Sequence, residues 1–367
     1  MLAYTLKKPS EVSPMLFVLR HFVAGLKVFL LSVCLMLLSS CDTPSSESSF
    51  TNYTDRLASV LDSSEPEAPK TAIPPLPEVS ELLQQTEDVR MGLLDAYELR
   101  ACGLFQLIAE RNSVLGKVQD RTRQLRYELL LLDGISHCLA TLPENSKLQA
   151  QLLQVQRIKQ QDLPKYFWNM LLTGEEWQKQ FKPTHIAFPL NAMPGASESQ
   201  HIFRGIAEIA RQISAGQTVT SQAADNLLTY QADIHTFRYL GQLFYAMARA
   251  RDWLNTTTRL LNSQDSQVMC GPNRNQQQAD YLQNVFYKFY VGEIQPYLAK
   301  LDSQYQEISP DLQALFTTPA RPAALADYQS YYIDGALHSQ FREATLNHVH
   351  YWQTLFKRCG IKVGQTG

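Results

Sequence analysis

An all-α body is what this chain predicts: an antiparallel multi-helix bundle of long helices, in one body or two lobes, with little or no β structure. Three observations predict it. Apolar residues recur at the 3/4 spacing of a buried helical stripe, in Leu94, Tyr97, Ala101, Leu104 and Ile108, and again in Leu227, Tyr230, Ile234, Phe237, Leu240, Phe244 and Met247. Alternating patterns bounded by turns are nearly absent, with THIAFPL at 184–190 the one short extended candidate. The chain has 367 residues, 45% of them hydrophobic, enough to bury a sizeable core.

From the N-terminus, residues 1–40 read as a leader. Residues 28–38, VFLLSVCLMLL, carry no charge, follow Arg20 and Lys27, and precede the small pair Ser39 and Ser40. Basic, apolar and small regions in that order form a secretory signal peptide. The run is too short for a spanning helix, which needs about 20 apolar residues. Met15 is an alternative start.

Leu38-Ser39-Ser40-Cys41 resembles the lipobox of bacterial lipoproteins. The resemblance implies cleavage before Cys41, diacylglycerol on its thiol, and a membrane lipid anchor. Acyl chains at about 0.8 kcal/mol per buried CH2 make such an anchor effectively permanent. In enterobacterial lipoproteins, an aspartate after the lipidated cysteine resembles the signal that retains a protein in the inner membrane. Asp42 is therefore expected as the sorting residue, with a periplasm-facing location on the inner membrane and the outer membrane as the alternative.

Residues 41–78 are expected to be a lipidated, proline-rich tether. A polar stretch leads into a short helical candidate, FTNYTDRLASVLD, and then five prolines fall between Pro66 and Pro77. That density excludes helix and sheet and predicts an extended arm holding the body off the membrane. The remainder divides into an N-terminal helical part, 79–190, and a C-terminal helical part, 191–367. A continuous helix is expected from about Ser221 to Leu261, a kinked one around Pro296, and a last one over about Ala324 to Phe356.

Cys102, Cys138, Cys270 and Cys359 remain after Cys34 and Cys41 are assigned to the leader and the lipid site. An even number in an oxidising compartment predicts disulfides. Four cysteines allow three connectivities. Cys102 with Cys138 and Cys270 with Cys359 are favoured, because each pair straddles a turn between helical stretches. No zinc-type spacing occurs.

The chain holds 33 bases and 35 acids; four of the bases and one acid lie in the first forty residues, leaving 29 and 34. That balance does not suggest a nucleic-acid partner, which would call for a basic face. Arg111, Lys117, Arg121 and Arg123 gather at the tip of the first helical hairpin and are a candidate docking patch for an anionic partner or lipid head groups. Helix capping by Asp120 and dipole compensation explain the same charges structurally.

No catalytic residue, metal site or cofactor is expected. His348 and His350 are two apart and diverge on a helix. Glu198 and His201 form a lone ExxH beside a capping box of Ser197 and Gln200. Glu175 and Glu176 beside Trp177 suit an exposed helix start. The late aromatics, among them Tyr281, Phe286, Tyr290, Tyr297, Tyr328, Tyr332 and Trp352, raise the alternative of a groove that binds or cleaves peptidoglycan or another glycan.

The segment LIAERNSVLGKVQDRTRQLRYELLLL at 107–132, with the lipobox, the tyrosine- and glutamine-rich helices and RCG at 358–360, resembles a gammaproteobacterial lipoprotein family known only as a domain of unknown function. The resemblance covers nearly the whole mature chain and implies fold and location without an activity. The expectation is a noncatalytic assembly or interaction factor with an envelope protein partner.

Overall fold

In the computed structural model, Ser45 opens the first helix, its Oγ accepting from Ser48 N at 3.0 Å as an N-cap. Residues 45–87, 89, 97–143, 146–271 and 274–362 are described. The leader, Cys41, Asp42 and Leu94 lie outside the described residues. Helix α1, Ser46–Val60, buries Phe50, Tyr53 and Leu57 on one stripe of the main core. The free tether expected over 41–78 is therefore corrected: its described part belongs to the body.

Residues 63–78 form neither helix nor strand, as the prolines require, but they lie along the body. Proline leaves carbonyls without a helical partner, and buried donors take them. Tyr332 donates to Pro74 O at 2.6 Å, Arg249 donates to Pro69 O and pairs with Glu47, and Leu76 is buried. A single turn, Val79–Leu82, follows.

The first stripe is shorter than its spacing suggested. A 3-10 turn, Leu99–Cys102, is separated at Gly103 from helix α2, Leu104–Asn112, and Tyr97 and Ala101 are exposed while Leu104 and Ile108 are buried. Asp120 then caps α3, Arg121–Thr141, accepting from Arg123 N at 2.9 Å. A short connection leads to α4, Lys147–Thr173, which packs back along α3 as a hairpin. Helix α5, Glu175–Phe181, completes this half.

Helix α6, Ala196–Ser214, begins behind Gly195 with no side-chain cap. The expected Ser197/Gln200 box is not formed, because the helix starts at Ala196 and Ser197 lies inside it rather than at the N-cap; Gln200 Nε2 donates instead to Gln304 Oε1 at 3.0 Å. The long helix expected over 221–261 is two: α7, Ser221–Ile234, and α8, Tyr239–Gln264. The buried Gln180 amide donates to both Ile234 O and Phe237 O, drawing those carbonyls out of a helical ladder. That competitor lies more than fifty residues away, so local spacing could not reveal it.

Helix α9, Gln277–Val285, passes through wide π-turns, Phe286–Ile294, into α10, Gln295–Phe316. Pro296 falls in the first turn of α10, where its missing N–H is harmless, so the π segment absorbs the expected kink. The last expected helix is split at Gly335, whose φ of +94° suits only glycine, and α11 runs Ala336–Cys359 behind it.

The architecture is all-α. Among the described residues, the one extended pairing is an isolated bridge between Ser45 and Pro189, at the THIAFPL stretch. Pro44–Gly367 forms one compact unit, with no division at 185–200. A main hydrophobic cluster fills it, and a satellite of Leu99, Leu104, Ile108, Leu131, Ile135 and Leu152 lies at the α2–α3–α4 end. Cys102–Cys138 crosslinks the satellite with Cα atoms 5.2 Å apart, and Cys270–Cys359 ties the loop after α8 to the end of α11 at 5.0 Å. Both clusters and both disulfides lie inside this unit, as in a domain with its own core.

Candidate functional site

Helices α2, α3 and α4 leave a cavity of about 830 Å³ between them, closed on one side by a strap of residues 83–87 and Val89. Its wall repeats at helical spacing. Gln124, Tyr127, Glu128 and Leu131 share one face of α3, and Val155, Lys159, Tyr166 and Asn169 share one face of α4. Asn169 holds the strap: its Oδ1 accepts from Gln84 N at 2.8 Å and its Nδ2 donates to Gln84 O at 2.9 Å. Asp162 accepts from Glu87 N and from Lys165, fixing the strap a second time.

Deep in the wall, Lys159 Nζ meets Glu128 Oε1 at 2.9 Å, with both side chains almost fully buried. The second oxygen, Glu128 Oε2, is buried without a hydrogen-bond partner of its own. Burial pushes the Glu128 carboxyl above its usual range, against the opposing pull of Lys159. Burial likewise raises the Tyr127 and Tyr166 phenols, so both are neutral donors at physiological pH.

Toward the mouth stand Arg111, Lys117 and Arg121. Arg111 donates to Gly116 O and lies over the Tyr127 ring at 5.7 Å. Arg121 donates to Gln124 at 3.0 Å. With Lys159, four bases face one acid, a net of +3 among the lining residues. The arrangement can hold an anionic group at the mouth and offer Glu128 Oε2 and the phenols to donors and acceptors deeper in.

Three of the four expected patch residues thus converge on one cavity. Arg123 does not: it turns back to Asp120, with which it pairs as neighbours on the helix. Sequence reasoning missed Glu128, Lys159, Tyr127, Tyr166 and Asn169. A signal existed, since Glu128 interrupts the leucines of RYELLLL and Lys159 follows Leu152 and Val155 on an apolar stripe.

The other expected groups are apart from this site. Glu175 pairs with Lys179 at 2.8 Å and Glu176 accepts from Gln231 at 3.0 Å, both at a helix start. His201 meets the Tyr230 ring edge-on. His348 is fully buried, while His350 is exposed. Trp352 Nε1 and Tyr53 Oη approach His348 Nε2 at 3.1 and 2.8 Å, and Thr258 Oγ1 lies 2.9 Å from Nδ1. No cluster of metal-ligating side chains occurs among the described residues.

Most of the late aromatics, raised above as the alternative of a glycan groove, are packed inside the body, while Tyr281 is exposed. Phe286, Phe289, Tyr290, Tyr297, Tyr305, Tyr328, Tyr332 and Trp352 are core residues, stacked and tilted against one another. Among the described residues, no helix is long and apolar enough to cross a membrane.

Residues 50–363 match the family described as "Protein of unknown function (DUF3080)", so the chain belongs to that family. No curated protein and no solved structure matches it.

Proposed function

We propose that this DUF3080 family member is a lipid-anchored envelope protein that acts without catalysis, as an interaction or assembly factor, and that its basic cavity receives an anionic group of the partner. Cys41 carries the lipid after removal of the leader, and Asp42 keeps the protein on the periplasmic face of the inner membrane. The motif LSSC behind an apolar run supports the anchor, and two disulfides in the body suit an oxidising compartment.

The observation that carries the binding role is the convergence of Arg111, Lys117 and Arg121 on a cavity whose floor is the Lys159–Glu128 pair. Bases at a concave mouth focus the field on an incoming anion. The single lining carboxylate is already engaged by Lys159, which leaves it poorly placed as a general acid or base and favours binding over catalysis.

A photoreactive side chain at Gln85, on the cavity wall, tests the reading in intact cells. Crosslinking to an envelope component is expected, and Lys117→Glu with Arg121→Glu should abolish it. Equal crosslinking from Leu346, an exposed position on α11, or indifference to the charge reversals would count against the cavity. The anchor is tested separately: Cys41→Ser should release the protein from membranes, and Asp42→Ser should redistribute it between them.

A second reading, a glycan ligand, is favoured by the Tyr127 and Tyr166 phenols on the same wall. Retention of the Pro44–Gly367 unit on purified cell-wall sacculi supports it, and no retention at low salt removes it.

A further inference from the structure

Val114, Leu115 and Val118 are 82%, 81% and 77% exposed, the most exposed large apolar side chains among the described residues. They sit within five positions on the turn joining α2 to α3, next to Lys117, Arg121 and Arg123. Isolated exposed aliphatics are ordinary, but three together on one tip are not.

The tip is a built feature. Ser113 Oγ accepts from Gly116 N at 3.0 Å, and Ser113 O accepts from Lys117 N at 3.2 Å. Arg111 donates to Gly116 O from the preceding helix. A Cβ on Gly116 would stand 2.2 Å from Glu110 O, so only glycine lets the turn close this tightly on the end of α2. With Gly116 turned inward, Val114, Leu115 and Val118 are held outward.

We propose that this tip docks into the surface of an anionic phospholipid bilayer. Near-complete exposure means that the three aliphatics project from the body, a shape that enters the headgroup and acyl boundary and leaves little concave surface for a protein to fill. Lys117, exposed and without an ion-pair partner among the described residues, meets the phosphates with Arg121 behind it, while their aliphatic stems lie along the lipid; Arg123 is held by Asp120. The contact depends neither on acylation of Cys41 nor on a ligand in the cavity.

Co-sedimentation of the Pro44–Gly367 unit with vesicles tests it, comparing phosphatidylcholine containing phosphatidylglycerol with pure phosphatidylcholine. Binding is expected only to the anionic vesicles, weakening as salt rises. The triple variant Val114→Ser, Leu115→Ser, Val118→Ser should lose about tenfold or more in affinity, and Lys117→Gln should lower it by about fivefold. Circular dichroism would confirm that both variants remain helical. The triple serine variant, whose substitutions lie outside the cavity lining, should still bind pyrophosphate as the parent does, which separates this contact from the anion site. No binding to anionic vesicles, or equal binding by the triple serine variant, would overturn the proposal. So would a parent dimer that the serine variant dissolves, because the tip would then be a protein contact.

Discussion

Lys159 Nζ lies 2.9 Å from Glu128 Oε1, and the two side chains are only 6% and 4% exposed in the wall of the basic cavity. Ion pairs this deep gain little net stability over an apolar pair, because desolvation offsets their attraction. Breaking one is another matter. Lys159→Met leaves a buried carboxyl unpaired and should destabilise the fold by about 3–5 kcal/mol. Lys159→Met with Glu128→Leu should recover most of that loss. Urea unfolding of the three proteins checks it; a double variant as unstable as the single one would show that the pair is not coupled.

Acid should destabilise the protein through His348. Trp352 N–H can only donate, so Nε2 accepts and Nδ1 carries the proton toward Thr258. Burial pulls the pKa of His348 down to about 3. A histidine depressed in the folded state binds its proton first when unfolded, so its contribution is complete above the ordinary value near 6.5 and is lost as pH falls toward 3. The slope over that window is roughly 1.4 kcal/mol per pH unit. His348→Gln should unfold with a distinctly shallower pH dependence than the parent over the same range; an unchanged slope would remove His348 as its source.

Leu57 separates an integral first helix from a detached arm. Its side chain is fully buried among the main core residues. Leu57→Ala should cost about 2–5 kcal/mol, as a cavity in a packed interior does. A thermal melt identical to that of the parent would return residues 45–78 to the role of a passive tether.

The two disulfides should fail differently. Cys102–Cys138 staples the satellite cluster, whereas Cys270–Cys359 belongs to the main body. Closing a loop of 36 residues is worth roughly 4 kcal/mol in the chain-entropy account. Cys102→Ala with Cys138→Ala should speed amide exchange in α2 and the end of α3 and leave α8 and α11 protected. Uniform loss of protection would mean that the satellite is no separate cooperative unit.

Much of this body was legible where the information is local. Asp120 announces α3, the disulfide partners follow from turns between helices, and the diverging His348 and His350 follow from helical geometry. What stayed hidden depends on distant partners. The break between α7 and α8 is set by Gln180, and the docking of the proline-rich segment at 63–78 by Arg249 and Tyr332. Of the cavity, the basic rim was visible as a charge cluster, but its floor was not. Glu128 and Lys159 lie 31 positions apart and acquire meaning only when α3 and α4 fold against each other.

Titration of the Pro44–Gly367 unit with pyrophosphate, followed by the side-chain NMR signals of arginine and lysine, tests the anion site most directly. The account predicts saturable shifts confined to Arg111, Lys117, Arg121 and Lys159, weakened by salt and removed by Lys117→Gln with Arg121→Gln. Shifts spread evenly over the protein's exposed bases, or none at saturating pyrophosphate, would contradict it.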